Sequence, residues 1–151
     1  MEINLTFPEN VETEWERLKH KETRYMIIKC TDDQSSVELE KVGERDETFD
    51  QFVENMPKDE PRWAIFELHV DKDDGSTADK MVFFHYSPDT YFGTLKFFFA
   101  HAKDHVVHHF VPVVLVQLKH QEHDSQRESS NRDKKQSHPD IRRWFLIRAL
   151  L

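Results

Sequence analysis

The chain has 151 residues, of which 37% are apolar and 33% charged, and its formal net charge at pH 7 is −8. This length and apolar content are typical of one folded domain with a substantial core. The negative charge excludes a general nucleic-acid-binding function and leaves phosphoinositide binding only as a weak alternative, since both ligands select for clustered Lys and Arg.

A single cysteine, Cys30, excludes an internal disulfide framework, and it lies in an apolar run where we expect it to be buried. The first ten residues lack the basic and apolar pattern of a signal peptide. No apolar run approaches the roughly 18 residues of a membrane-spanning helix. The sequence therefore predicts an intracellular protein.

The first half of the chain predicts a helix, a hairpin and a second helix. Residues 9–20 repeat apolar side chains at helical spacing and predict the first helix. Residues 24–30 form an apolar strand candidate. In residues 37–41, Val37, Leu39 and Lys41 alternate with two glutamates, which predicts a half-exposed second strand. Residues 47–56 place four apolar side chains on one helical face. Pro57 should end that helix.

The second half predicts another hairpin, a long helix and a last strand. The hairpin strands are residues 63–70 and 80–86, and the loop between them is rich in aspartate, which raises calcium binding as an alternative. A hairpin turn at 73–75 explains the loop without a metal. Residues 87–110 predict a turn followed by the long helix, and residues 113–118 predict the final strand.

This order predicts an α/β fold, in which a single domain is built on a central mixed sheet of about five strands with helices on both faces. Residues 1–118 would form its core. Residues 119–138 are almost free of apolar side chains and predict a polar loop or disordered segment. Residues 139–151 predict a C-terminal helix that packs on the core.

The long helix has two different faces. At 100° per residue, the side chains that should contact the core are Leu95, Phe98, Phe99, Ala102, Val106 and Phe110. The opposite face carries Lys96, Phe97, Ala100, Lys103, Asp104, Val107 and His108. One exposed apolar side chain is ordinary, but Phe97 between Lys96 and Lys103 is typical of a helix that docks into a groove on an acidic partner.

Four histidines lie close together on this helix: His101, His105, His108 and His109. The spacing of His101 and His105 can chelate a metal, so a metal site at His101, His105 and His108 is one alternative, although it needs a further ligand. The second alternative is that protonation below about pH 6.5 adds positive charge to the exposed face. It predicts tighter binding of an acidic partner at acid pH.

With these elements in place, residues 5–118 resemble the actin-depolymerising factor and cofilin family, which has the ADF-homology domain. The pieces that carry the resemblance are RYMIIK, EKVGERDETFDQFVENMP, PRWAIFELHV, KMVFFHYSPDT and KFFFAHAKD. In the family's helix motif, Lys96, Ala100, Lys103 and Asp104 match, Phe97 stands at a Met position and Phe99 at a Tyr position.

The resemblance implies a protein that binds actin monomers and filaments and promotes filament severing and depolymerisation. It implies no cofactor, a monomeric protein, and a location in the cytoplasm and cytoskeleton, with the nucleus as a second location alongside actin. The residues it implies for actin binding are Lys96, Phe97, Ala100, Lys103, Asp104, Val107, His108, Lys80, Leu5 and Thr6. An enzyme is not expected, because no Gly-rich phosphate loop or nucleophile elbow is present.

The sequence departs from the family pattern at several cationic positions. Thr94, Val107 and His108 replace basic residues of the helix, and Ala78 replaces a common Arg of the second hairpin. The family's inhibitory phosphoserine falls near Ile3. Two alternatives follow: a glia maturation factor-like regulator of branched actin, or a degenerate domain of this fold with another partner.

Overall fold

The computed structural model describes residues 3–88, 91 and 93–118. Its elements in chain order are α1 (Glu9–Lys19), β1 (Tyr25–Cys30), β2 (Val37–Gly43), α2 (Phe49–Glu54), β3 (Arg62–Asp71), β4 (Thr77–Tyr86), α3 (Thr94–His109) and β5 (Val114–Leu118). Every helix and strand predicted in this part of the chain is present. The predicted segments 119–138 and 139–151, and positions 89–90 of the predicted turn, lie outside the described residues. Within the described ranges, no helix is long and apolar enough to cross a membrane.

The five strands form one sheet in the order β2-β1-β3-β4-β5. The pairs β1–β2, β1–β3 and β3–β4 are antiparallel, whereas β4 and β5 are parallel. A parallel pair requires a crossover connection, and α3 lies in the one that joins β4 to β5. The predicted mixed sheet is confirmed, and both ends of α3 lead into neighbouring strands.

Helices cover both faces of the sheet. Side chains alternate between the two faces along each strand, and both faces carry apolar side chains that helices bury. One core cluster joins α1 and α3 to the sheet through Val11, Trp15, Leu18, Met26, Ile28, Trp63, Ile65, Phe83, Phe99, Ala102, Val106 and Phe110. The other joins α2 to the opposite face through Tyr25, Ile27, Phe52, Met56, Ala64, Phe66, Val82, Phe84 and Val116. Cys30 is buried, as expected, and burial raises the pKa of its thiol to about 11.

The second helix is shorter than the sequence pattern predicts. It ends at Glu54 with Asn55 as its C-terminal cap, so it stops before Pro57 rather than at it. A capping box between Thr48 and Gln51 fixes its first turn. The predicted end was wrong because Pro57 marks the latest possible end of the helix and not the actual one.

Hydrogen bonds from one tyrosine of β1 link both ends of α2 to the sheet. The Tyr25 hydroxyl donates to Oε1 of Glu47 at 2.9 Å and accepts from Nδ2 of Asn55 at 2.9 Å. Its ring lies against Gly43, where a Cβ would be 2.1 Å from Cε1 of Tyr25. Position 43 therefore requires glycine because of this close approach.

The second hairpin is longer than predicted. Its ladder extends to the pair Asp71 and Thr77, so residues assigned to the loop belong to the strands. Gly75 has φ 86°, and Asp74 accepts hydrogen bonds from the backbone N–H and the hydroxyl of Ser76. The predicted turn at 73–75 is confirmed. The sequence pattern missed the ends of both strands because the residues there are polar. Strand pairing is made by backbone hydrogen bonds, so it can continue through polar residues.

Candidate functional site

The side of α3 that faces solvent carries the residues singled out by the sequence. Phe97 is 73% exposed, and Ala100, Asp104 and His108 are exposed beside it. Lys96, Lys103 and Val107 are half-buried along one edge. We call these seven residues the outward face of α3. The structure thus brings seven of the ten predicted contact residues together on one element.

An aromatic stack holds the opposite side of α3. Phe99 is 1% exposed and lies nearly parallel to Trp63, with ring centroids 3.8 Å apart, and its centroid lies 5.0 Å from that of His85. Nε1 of Trp63 donates to Nδ1 of His85 at 3.0 Å. Stacked rings on two strands therefore fix how α3 is rotated, and with it the direction of the outward face.

His85 connects this stack to the charges of the outward face. Burial, reinforced by the charge of Lys103, lowers the pKa of His85 to about 4, and Asp104 acts in the opposite direction. The neutral ring can accept the hydrogen bond from Trp63, which a doubly protonated ring could not. Sequence reasoning missed His85, because its pairing opposite Trp63 is seen only when the register of the hairpin is known.

The two edges of the outward face differ in chemistry. One edge consists of Lys96, Lys103 and Val107. Beyond the other edge, on the side of α3 next to α1, His109 stacks on Phe7 of the N-terminal segment, with centroids 3.6 Å apart and an interplanar angle of 1°. Nε2 of His109 also contacts Oε1 of Glu12 on α1. Among the seven residues of the outward face, both ammonium groups therefore lie along one edge.

The four histidines of α3 have different surroundings. His109 contacts α1 and the N-terminal segment, the ring of His105 lies 6.0 Å from that of Phe7, and His101 and His108 are exposed. In the part of the chain that the structure describes, no three His, Cys, Asp or Glu side chains are grouped so that they could hold a metal ion. The metal alternative for His101, His105 and His108 gains no support there.

Three predicted contact residues lie on other elements. Lys80 is half-buried on β4, and Thr6 is exposed, with its hydroxyl donating to the carbonyl of Ser35 at 2.9 Å. Leu5 requires a correction, because it is 5% exposed and belongs to the core. Side chains of an extended segment alternate, so Thr6 points outward where Leu5 points inward.

Ionic contacts in the half of the second hairpin nearer its turn also escaped sequence reasoning. Nζ of Lys21 donates to Asp79 at 2.5 Å and Nδ1 of His69 lies 2.7 Å from the same carboxylate. Hydrogen bonds from Lys21 and His69 lower the pKa of Asp79 to about 2. Arg45 pairs with Glu67 through both of its terminal nitrogens. Lys21 and Arg45 are therefore engaged by carboxylates of the chain itself.

A family model described as cofilin/tropomyosin-type actin-binding protein matches residues 4–134. This match extends beyond the predicted resemblance, which ended at residue 118. Actin-depolymerizing factor 8 of Arabidopsis thaliana is 34% identical over 88 residues, which are 58% of this chain and 63% of that protein. The chain thus spans less than two thirds of the length of this curated relative.

Solved structures share the fold. Actin depolymerization factor 2 of Plasmodium berghei superposes with a TM-score of 0.69 at 18% identity, covering 86% of this chain and 96% of that one. Glia maturation factor of Caenorhabditis elegans superposes with a TM-score of 0.61 at 17% identity, covering 79% and 90%. At these identities the likeness shows the fold alone.

Proposed function

The chain belongs to the family of cofilin/tropomyosin-type actin-binding proteins, and from this membership we propose that it binds actin monomers and filaments through the outward face of α3 and promotes filament severing and depolymerisation. The family match includes every helix and strand described above. The protein acts through binding, without a reaction catalysed by its side chains.

The exposure of Phe97 is the observation that supports this site. The ring is 73% exposed on a helix whose inward side already buries Phe99, Ala102 and Val106. Folding gains little from an aromatic ring in solvent, whereas a partner groove gains a large apolar contact when it covers the ring. Phe97 is therefore the anchor that we assign to the actin contact.

The two lysines along one edge of the outward face would orient actin on that face. Lys96 and Lys103 lie on the same edge of the outward face, while the contact of His109 with Glu12 lies beyond the opposite edge, next to α1. Charged groups at the rim of an interface mainly set orientation and association rate. We assign to these lysines the recognition of acidic side chains on one side of the actin groove.

Severing follows from differential binding in this proposal. A protein that binds one filament geometry more tightly than another shifts the filament toward that geometry. The size of the shift cannot exceed the difference between the two binding free energies. Filament breakage is then expected where altered and unaltered segments meet.

The test compares Phe97→Ala with wild type and with Thr13→Ala, an exposed position on α1. We expect Phe97→Ala to weaken binding to actin monomers and filaments about 30-fold, because truncating a central aromatic anchor costs about 2 kcal/mol. Thr13→Ala should bind like wild type. Titration with fluorescently labelled monomers and co-sedimentation with filaments measure both affinities, and microscopy of single filaments counts severing events.

Three results contradict the proposal in whole or in part. Absence of wild-type binding to both monomers and filaments rejects actin as the partner. Wild-type affinity in Phe97→Ala rejects the outward face as the site. Binding without any increase in severing removes the severing activity and leaves the binding.

A regulator of branched actin is the second candidate, and the acidic tip of the second hairpin favours it. Asp71, Asp73 and Asp74 are exposed there, and Ala78 stands at a common Arg position of the family. An acidic tip is poorly suited to an additional contact with an acidic filament surface. Co-sedimentation with unbranched and branched filaments distinguishes the candidates, since the second predicts enrichment on branched filaments only.

A further inference from the structure

The outer half of the second hairpin, residues 68–80, extends past the strands beside it. β1 pairs with β3 only as far as Phe66, and β5 pairs with β4 only from Val82 onward. Among the described strands, residues 68–80 therefore pair only with each other. A two-stranded hairpin by itself is marginally stable in water, so the direction of this outer half depends on contacts with the rest of the protein.

Lys21 makes such a contact from the end of α1. It has φ 62°, and its backbone N–H bonds to the carbonyl of Leu18 at 3.1 Å, where Leu18 is fully buried. Nζ of Lys21 donates to Oδ2 of Asp79 on β4 at 2.5 Å, and Nδ1 of His69 on β3 lies 2.7 Å from Oδ1. One carboxylate thus joins both strands of the outer half to the end of α1.

Asp79 and the next residue, Lys80, point to opposite faces of the sheet, because side chains alternate along a strand. Lys80 pairs across the hairpin with Leu68, which packs against the core cluster under α2. The side chain of Asp79 is turned to the face that α1 and α3 cover. Lys80 therefore lies on the opposite side of the sheet from the outward face of α3.

We propose that Asp79 is a positioning residue for filament binding: its pair with Lys21 holds the outer half of the hairpin so that Lys80 meets a second actin subunit. The inference rests on the proposed function and adds a contact that a filament offers and a monomer seated on α3 does not. The side chains of Lys21 and Asp79 are 55% and 35% exposed. Exposed ion pairs contribute little to global stability, so loss of this pair should change the hairpin and leave the fold intact.

A pure charge effect predicts the opposite sign for Asp79. Its carboxylate is a negative charge beside Lys80, so removing it would by charge alone strengthen attraction to an acidic filament surface. A positioning role predicts weaker filament binding instead. The direction of the change therefore distinguishes the two explanations.

The experiment measures affinity for filaments by co-sedimentation and for labelled monomers by titration, with wild type, Asp79→Asn, Lys21→Gln and the double variant. We expect each single variant to weaken filament binding about threefold and to bind monomers like wild type. Both substitutions break the same pair, so the double variant should bind filaments no more weakly than either single one. Lys21→Arg retains the pair and should retain wild-type affinity.

Two further variants serve as controls. Asp73→Asn makes the same charge change at the exposed turn of the same hairpin and should bind filaments at least as tightly as wild type. In a Lys80→Ala background, Asp79→Asn should cause no further loss, because the contact that it positions is already absent. Thermal unfolding of every variant checks the fold, and Lys21→Gln carries the test if Asp79→Asn lowers the midpoint.

Tighter filament binding by Asp79→Asn, together with weaker binding by Lys21→Gln, would show a charge effect and overturn the positioning role. Equal weakening for monomers and filaments would also overturn it, since that is the result of a general structural defect. Filament affinities that none of these variants changes, with wild type still binding actin, overturn the inference and leave the proposed function intact. Absence of wild-type binding to monomers and filaments overturns both.

Discussion

Phe97 and Phe99 are the same side chain two residues apart on α3, yet Phe97 is 73% exposed and Phe99 is 1% exposed. Phe99 stacks against both Trp63 and His85, so the fold accounts for it fully. Phe97 has no comparable role in the core. The inward face of α3 therefore serves folding, whereas we assign the outward face to binding. A substitution on the inward face should change the free energy of unfolding, and one on the outward face should change the affinity for actin.

The largest effect should come from breaking the inward face. Phe99→Ala leaves a cavity beside Trp63 and His85 and should lower the free energy of unfolding by about 3 to 5 kcal/mol. Denaturant unfolding measures it. Phe97→Ala is the control and should change stability by less than about 0.5 kcal/mol. Similar losses in the two variants would mean that the faces are not separate in function.

His85 should make the inward face sensitive to acid. Its pKa in the folded state is about 4, lowered mainly by burial, whereas an unfolded histidine titrates near 6.5. As the pH falls, His85 takes up its proton in the unfolded chain at a higher pH than in the folded one. The stabilisation provided by neutral His85 is therefore complete above pH 6.5 and is lost as the pH falls toward 4. This loss amounts to about 3 kcal/mol.

Denaturant unfolding at pH 7 and pH 4.5 checks this, with His85→Phe as the comparison. The variant cannot take up a proton at this position, so its stability should fall less between the two pH values, whatever its stability at pH 7. Carboxylates such as Asp79 contribute the same amount to both proteins and cancel in the difference. Parallel losses in wild type and variant would contradict the assignment to His85.

The smallest effect should come from the histidines of the outward side. We predict that wild type binds actin about two- to fivefold more tightly at pH 6 than at pH 8, because histidine is the side chain whose charge ordinarily changes between pH 5 and 8 and the outward side of α3 carries exposed histidines at positions 101 and 108. Co-sedimentation at the two pH values measures it. Replacing both histidines by alanine should remove the difference, while His20→Ala on the exposed end of α1 should retain it. Equal wild-type affinity at both pH values would refute the prediction.

Periodicity predicted the division of α3 for most of its residues, because a helix wheel needs no knowledge of neighbouring elements. Val107 is an exception, since it was assigned to the exposed face but is half-buried and packs against the core cluster. Phe99, Ala102, Val106 and Phe110 are buried as expected, and Phe97 is exposed. The order of strands and helices could also be predicted from the sequence, because long apolar segments indicate the elements and turn residues indicate where they end. These are properties of the local sequence, and they suffice for the elements and for the layered architecture.

Contacts between elements were not accessible in the same way. The stacking of His109 on Phe7 and its contact with Glu12 require α1 and α3 to lie side by side. His85 looks like any strand histidine until Trp63 and Phe99 are placed around it. Leu5 was misassigned because resemblance gives a position in the chain, while burial depends on which way an extended segment turns its side chains.

The crossover through α3 has a consequence for the order of folding. The second hairpin closes between Asp71 and Thr77, which are near neighbours in sequence, whereas the parallel pair joins Val82 to Val114 across the whole of α3. Closing a longer loop costs more chain entropy, and non-local pairings form more slowly than local ones. We therefore expect the two hairpins to form before β5 docks. The helix that presents Phe97 would then acquire its final orientation last, so an incompletely folded chain has a sheet before it has a surface that can bind actin.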